Sequence, residues 1–157
     1  MKIILFDIDG TLIKAGRAGF RGLNRAIKDM CGVDDICSRL QLQGSPDKEN
    51  FRTAFIQASG KKPTARQARE LERRYVACLP KEVARSVKSG NYFKVKGVEK
   101  LLKALSRRKD VLVGLGTGNL KAGAFIKLKP SGLTRYFVFG GYGCDSHIRS
   151  RMLRKAV

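Results

Sequence analysis

Ile3-Ile4-Leu5-Phe6-Asp7-Ile8-Asp9-Gly10-Thr11 is the stretch on which the fold turns. Its four leading apolar residues predict a short buried strand. Two carboxylates follow with one residue between them, and Gly10 and Thr11 then turn the chain away. In open α/β sheets the C-terminal edge of a parallel strand is where ligands bind. Asp7 and Asp9 at that edge concentrate negative charge in one crevice. A hard divalent cation such as Mg²⁺ favours so oxygen-rich a setting. An ordinary turn also uses Asp and Gly. The pattern D-x-D-G-T, however, fixes four residue types and arises by chance at roughly one position in 10⁵.

A second segment repeats the theme. Val111-Leu112-Val113-Gly114-Leu115 predicts another strand, ending in Gly116-Thr117-Gly118-Asn119. Ahead of it, Val98, Leu101, Leu102 and Leu105 have helical spacing with a basic opposite face. Helix, strand, Gly-containing turn and further helix in that order make an α/β unit. The Thr117 hydroxyl and the amides around Gly118 and Asn119 suit a phosphate oxygen. Asn119 is also placed to cap a helix predicted over residues 120–129. The free amides and dipole of such a helix favour an anion at its start. A third short strand is predicted at Tyr136-Phe137-Val138-Phe139, bounded by Gly140 and Gly141.

Between about Lys14 and Tyr92 the pattern is helical throughout. Phe20, Leu23, Ile27 and Met30 mark one apolar face; Phe51, Ala54, Phe55 and Ala58 mark another. Ser45-Pro46-Asp47 predicts an N-cap followed by proline at the first helical position. Thr64 and Gln67 fit a capping box, and Leu71, Tyr75 and Cys78 continue that helix. Helix-only sequence inserted after the first strand implies a subdomain. The predicted division is an α/β core of residues 1–13 and 93–157 and a helical insert of residues 14–92.

On these motifs the chain resembles the haloacid dehalogenase (HAD) superfamily of phosphohydrolases. D-x-D-G-T matches that family's first motif and Thr117 its second. The string from Gly116 to Leu128, with Gly132-Leu133 and Phe139 to Gly143, resembles the phosphoglycolate phosphatase-like branch. The resemblance implies an α/β, Rossmann-like core with a helical cap of the C1 type over the active site. It implies a Mg²⁺-dependent phosphomonoester hydrolase acting through an aspartyl phosphate on a small phosphorylated metabolite such as phosphoglycolate. Asp7 would be the nucleophile, and Asp9 the general acid and base. The Asp7 carboxylate and the Asp9 carbonyl would ligate Mg²⁺. Gly10, Thr11, Gly118 and Asn119 would contact substrate. Lys127 is the candidate for the lysine of the third motif, with Lys129 its nearest competitor.

The chain departs from the family pattern at three places. Ser45 stands where related proteins often carry arginine, and Lys96 where proline is usual. No acidic pair follows Asp145 to match the fourth motif, so the C-terminal strands of the family sheet are expected to be missing. The strand of Ile3 to Phe6 would then be an apolar sheet edge, and self-association through it is expected.

Composition bounds the rest. A chain of 157 residues with 43% hydrophobic residues makes one domain with a real core. Cys31, Cys37, Cys78 and Cys144 form no C-x-x-C pair, which argues against a disulfide framework or a cysteine metal cluster and favours a reducing cytoplasm. No signal peptide is visible, and no apolar run is long enough for a membrane span. With 33 basic and 13 acidic residues the formal net charge is +20, an attraction for phosphorylated substrates and polyanions. The unmatched fourth motif and this charge together give a rival reading, a catalytically inactive, truncated HAD-like protein with non-specific polyanion binding through its basic surface. No aromatics are interleaved with the basic runs to form a stacking platform.

Overall fold

The structure, a computed structural model, describes residues 1–145 and 149–155. Strand β1 (Lys2–Phe6) pairs in parallel with β4 (Val111–Thr117), Lys2 opposite Val111 and Phe6 opposite Leu115. Strand β5 (Gly140–Tyr142) pairs in parallel with the other side of β4, giving the order β1-β4-β5. The α/β class expected from the sequence is what forms. The central strand is the most buried along its second half, where four residues, Gly114 to Thr117, are buried in a row. A strand flanked on both sides needs that continuous pattern. Among the described residues β1 is a sheet edge, with Ile3 exposed. The predicted core boundary at residue 157 lies outside the described residues.

The third strand is a correction. Tyr136 to Phe139 do not form it: Leu133–Tyr136 is a 3-10 turn, and pairing starts at Gly140. The apolar signal there is split, since Phe137 is buried while Val138 lies in solvent. Gly140 can approach β4 because it has no side chain. A Cβ there would lie 2.7 Å from the Leu115 carbonyl oxygen. Glycine is needed at so close a backbone approach.

The insert leaves and rejoins the core at one point. Strand β2 (Ile13–Lys14) pairs antiparallel with β3 (Phe93–Lys94). Between them lie α1 (Ala18–Cys31), a 3-10 turn (Ile36–Arg39), α2 (Asp47–Ser59) and α3 (Ala65–Lys88). Helix α1 buries Ala18, Leu23, Ala26 and Ile27, and α3 buries Leu71, Tyr75, Leu79 and Val83. The i, i+4 spacing in α3 lays one apolar stripe against α1 and α2. Phe51 of α2 meets Tyr75, ring centroids 4.7 Å apart. The Thr64–Gln67 capping box forms as predicted. Helix α3 runs on through Pro80 to Lys88, and its apolar stripe continues to Val83.

One arginine ties this helical layer at its root. Arg21 of α1 pairs with Glu82 of α3 at 2.7 Å and also donates to the Gly16 carbonyl and the Ser86 hydroxyl. Helix α4 (Val98–Leu105) precedes β4, α5 (Lys121–Leu128) follows it, and α6 (Arg149–Lys155) follows β5. Helix α4 matches its predicted span, with Val98 and Leu102 buried and Leu101 exposed.

Candidate active site

The two carboxylates stand at the C-terminal end of β1, as the opening sequence required. Asp7 is half-buried, and its Oδ1 accepts from the Ile8 amide at 2.8 Å. Gly10, at φ +80°, turns the chain so that its amide donates to the Ile13 carbonyl at 2.8 Å. That tight return leaves Asp9 projecting from the loop, its side chain 47% exposed. A cavity of about 800 Å³ opens above them between core and helical layer. Asp7, Asp9, Gly10, Gly118, Asn119 and Lys127 all line it.

Lys127 is the centre of the arrangement. Helix α5 carries it underneath α1, where it is 5% exposed. Its Nζ donates to Asp9 Oδ2 at 2.7 Å and to Asn119 Oδ1 at 2.6 Å. Burial works against the charge on this amine. The oxygen of Tyr75 and the carboxylates of Asp9 and Asp47 more than offset that cost and hold Lys127 above the ordinary lysine range. Lys129, the competing lysine, is exposed at the end of the helix. Room for the buried amine comes from Gly19 of α1. A Cβ there would lie 3.2 Å from Nζ.

Asn119 binds the pieces together. Its Nδ2 donates to Asp9 Oδ2 at 2.9 Å and to Thr117 Oγ1 at 2.8 Å, and its backbone amide also donates to that hydroxyl. Thr117 is the last residue of β4 and is completely buried. It stands behind Asn119 and outside the cavity lining. Thr11 is exposed and also outside the lining. Asn119 does not cap the following helix. Leu120 takes the cap position, and its amide donates to Asp47 Oδ2 at 2.9 Å. The amide side chain of Asn119 is drawn away because two charged groups, Asp9 and Lys127, compete for it. Charge-assisted bonds are the stronger ones.

Sequence reasoning missed Asp47 and Gly19. Asp47 was placed one step off, since Pro46 takes the cap position and Asp47 begins α2. Its acidic character at a helix start was legible; its reach to another helix start was not. Burial pushes the Asp47 carboxyl above the usual range, opposed by Lys127 and the Leu120 amide. No signal in the sequence distinguishes Gly19 from the other glycines. Among the described residues, no group of three His, Cys, Asp or Glu side chains converges to hold a metal. No described helix is long and apolar enough to cross a membrane.

An α/β core with its acidic strand end and a helical layer over it defines a Rossmann-like architecture with its crevice at the strand ends. Solved structures make the match particular. The chain is similar to CbbY from Rhodobacter sphaeroides in complex with phosphate, at TM-score 0.71 and 17% identity, covering 99% of this chain and 71% of that one. A predicted phosphatase from Clostridium acetobutylicum matches at TM-score 0.69 and 19% identity, covering 99% and 68%. A haloacid dehalogenase-like family hydrolase from Streptococcus pneumoniae matches at TM-score 0.60 and 18% identity, covering 99% and 68%. The fold is therefore that of the HAD-type hydrolases, and the chain spans about two thirds of the length of these structures. No protein-family model and no curated protein matches the sequence.

Proposed function

We propose that the chain carries the site of a phosphomonoester hydrolase, a phosphatase that acts through an aspartyl phosphate on Asp7. The observation that carries this reading is the buried Lys127 ammonium held 2.7 Å from Asp9 in the cavity that Asp7 also lines. A fixed cation beside two carboxylates suits an incoming phosphate, whose charge it would offset. The Asp7 carboxylate attacks phosphorus while the ester P–O bond breaks, and protonated Asp9 gives its proton to the departing oxygen. Asp9, now a carboxylate, takes a proton from the water that attacks phosphorus in the acyl phosphate; the P–O bond to Asp7 breaks, which frees inorganic phosphate and restores the Asp7 carboxylate. Splitting the reaction in two replaces one hard step by two easier ones.

Lys127 and Asn119 both hold Asp9 Oδ2, which leaves Oδ1 for the proton transfers. Thr117 acts one step back, by fixing Asn119. Gly10, Gly118 and Asn119, which line the cavity, would contact substrate; Thr11 lies outside the lining.

The donor chemistry suits Mg²⁺. Asp7 and Asp9 both line the cavity, where the Asp7 carboxylate and the Asp9 carbonyl would offer hard oxygens; this ion keeps several waters while taking one or two carboxylates plus substrate phosphate. Bound there, it would neutralise charge on the phosphoryl group. The helical layer, residues 14–92, would act as a cap that completes the cavity. Lys14 and Arg17 add positive charge to the lining, which favours a small phosphorylated metabolite with a second anionic group, such as phosphoglycolate. The rival reading, polyanion binding by an inactive chain, is what the net charge of +20 would favour.

The test is hydrolysis of an aryl phosphate with and without Mg²⁺ by the wild type, Asp7→Asn and Asp9→Asn. Mg²⁺-dependent turnover that both substitutions abolish is expected. Full activity in Asp7→Asn refutes the assignment.

A further inference from the structure

The first carboxylate of α2 reaches across the cavity wall into the core. Asp47 Oδ2 accepts from the Leu120 amide at 2.9 Å, and the Asp47 amide donates to the Gly118 carbonyl at 2.8 Å. The two bonds run in opposite directions between the same two segments. Helix starts leave amides without intrahelical partners. Here the start of α2 is satisfied by the β4–α5 loop, and the start of α5 by the side chain of α2.

The fit around this clamp is close. A Cβ on Gly118 would lie 3.0 Å from Pro46 Cα, so the loop and the start of α2 touch backbone to backbone. A Cβ on Gly123, one turn into α5, would lie 3.9 Å from Asp47 Oδ2. Tyr75 packs over Gly123 and Gly22, which brings α1, α3 and α5 to one point. Lys127 rides on the same α5. The clamp therefore bears on the helix that delivers the ammonium group to Asp9.

We propose that Asp47 is a positioning residue: its two-way clamp on Gly118 and Leu120 holds the helical layer against α5 and fixes Lys127 beside Asp9. The structural part stands on geometry alone. The kinetic part rests on the phosphatase reading above.

The test uses the full chain with Asp47→Ala, which removes the acceptor, and Asp47→Asn, which keeps one. Asp47→Ser, a residue that helix starts accept, replaces the alanine variant should that one fail to fold. Amide hydrogen exchange is followed in the segments 45–50 and 118–128. The alanine or serine variant is expected to exchange about tenfold faster in both segments, the order expected for losing one buried hydrogen bond. Asp47→Asn is expected to stay near wild type. Wild-type exchange in the truncated variant, or equal exchange in truncated and asparagine variants, overturns the clamp. Where turnover is present, kcat is expected to fall in the truncated variant with KM little changed, and to recover in Asp47→Asn. A raised KM at unchanged kcat would make Asp47 a substrate contact and overturn positioning. Absence of turnover in every protein, wild type included, would count against the phosphatase reading, and the exchange result would decide the clamp without it.

Discussion

Replacing Lys127 by methionine isolates the buried ammonium. Methionine follows the same aliphatic path and fills it with an adaptable chain. Two bonds are lost, to Asp9 Oδ2 at 2.7 Å and to Asn119 Oδ1 at 2.6 Å. Asn119 is 6% exposed, so its oxygen is left without a donor, at roughly 1–3 kcal/mol. Stranding a fully buried charge would cost more, but Asp9 is 47% exposed and keeps the Asn119 amide, so water takes the place of the ammonium. The net loss is about 2 kcal/mol. For a chain of this length that lowers Tm by ~4–8 °C. The pH dependence follows from the raised Lys127 pKa. Its contribution is fully present below the ordinary lysine pKa and is lost only as pH rises through the higher folded value. The gap between wild type and Lys127→Met should therefore stay constant from about pH 6 to about pH 9. Urea unfolding across that range is the assay. A variant as stable as wild type, or a gap that closes within the range, would show that Lys127 is not held as a buried cation.

Three further outcomes follow from single contacts. Gly19→Ala places a Cβ 3.2 Å from a flexible amine and should be tolerated, whereas Gly19→Val should push Lys127 off Asp9 and cut turnover at least ~10-fold; steady-state kinetics on the pair checks this. Gly140→Ala forces a methyl to 2.7 Å from the Leu115 carbonyl oxygen, so β5 should separate from β4 at a cost of roughly 1–3 kcal/mol, read by chemical denaturation. Burial, helped by Asp35 and opposed by Arg17, pushes the Cys37 thiol up to about 12, so at about pH 8 iodoacetamide should modify exposed Cys144 and spare Cys37 until the chain unfolds, as peptide mass spectrometry will show.

Much of the architecture is legible in short runs. Four apolar residues before Asp7, and the run from Val111, are continuous enough to announce strands, and the Thr64 capping box is a purely local device. The third strand was not legible, because Gly140-Gly141-Tyr142 has almost no side chain to signal it. Its place is set by how closely its backbone can approach Leu115. The site divides the same way. Asp7 and Asp9 follow from their place after a strand, and Lys127 from the resemblance. Asn119 was expected to cap α5, yet it turns to the Asp9–Lys127 pair, a partner distant in sequence. Asp47 takes over the capping from another helix. Long-range partners of this kind leave no trace in local spacing, and neither does the gap that Gly19 leaves for the lysine.

The most direct test is whether Asp7 takes up a phosphoryl group. Wild type and Asp7→Asn are incubated with Mg²⁺ and acetyl phosphate or an aryl phosphate, quenched in acid, digested and read by mass spectrometry. A phosphoryl adduct on the peptide containing Asp7, present in wild type, discharged by hydroxylamine and absent from Asp7→Asn, is the predicted result. Turnover with no adduct at Asp7, or an adduct that persists in Asp7→Asn, would contradict it.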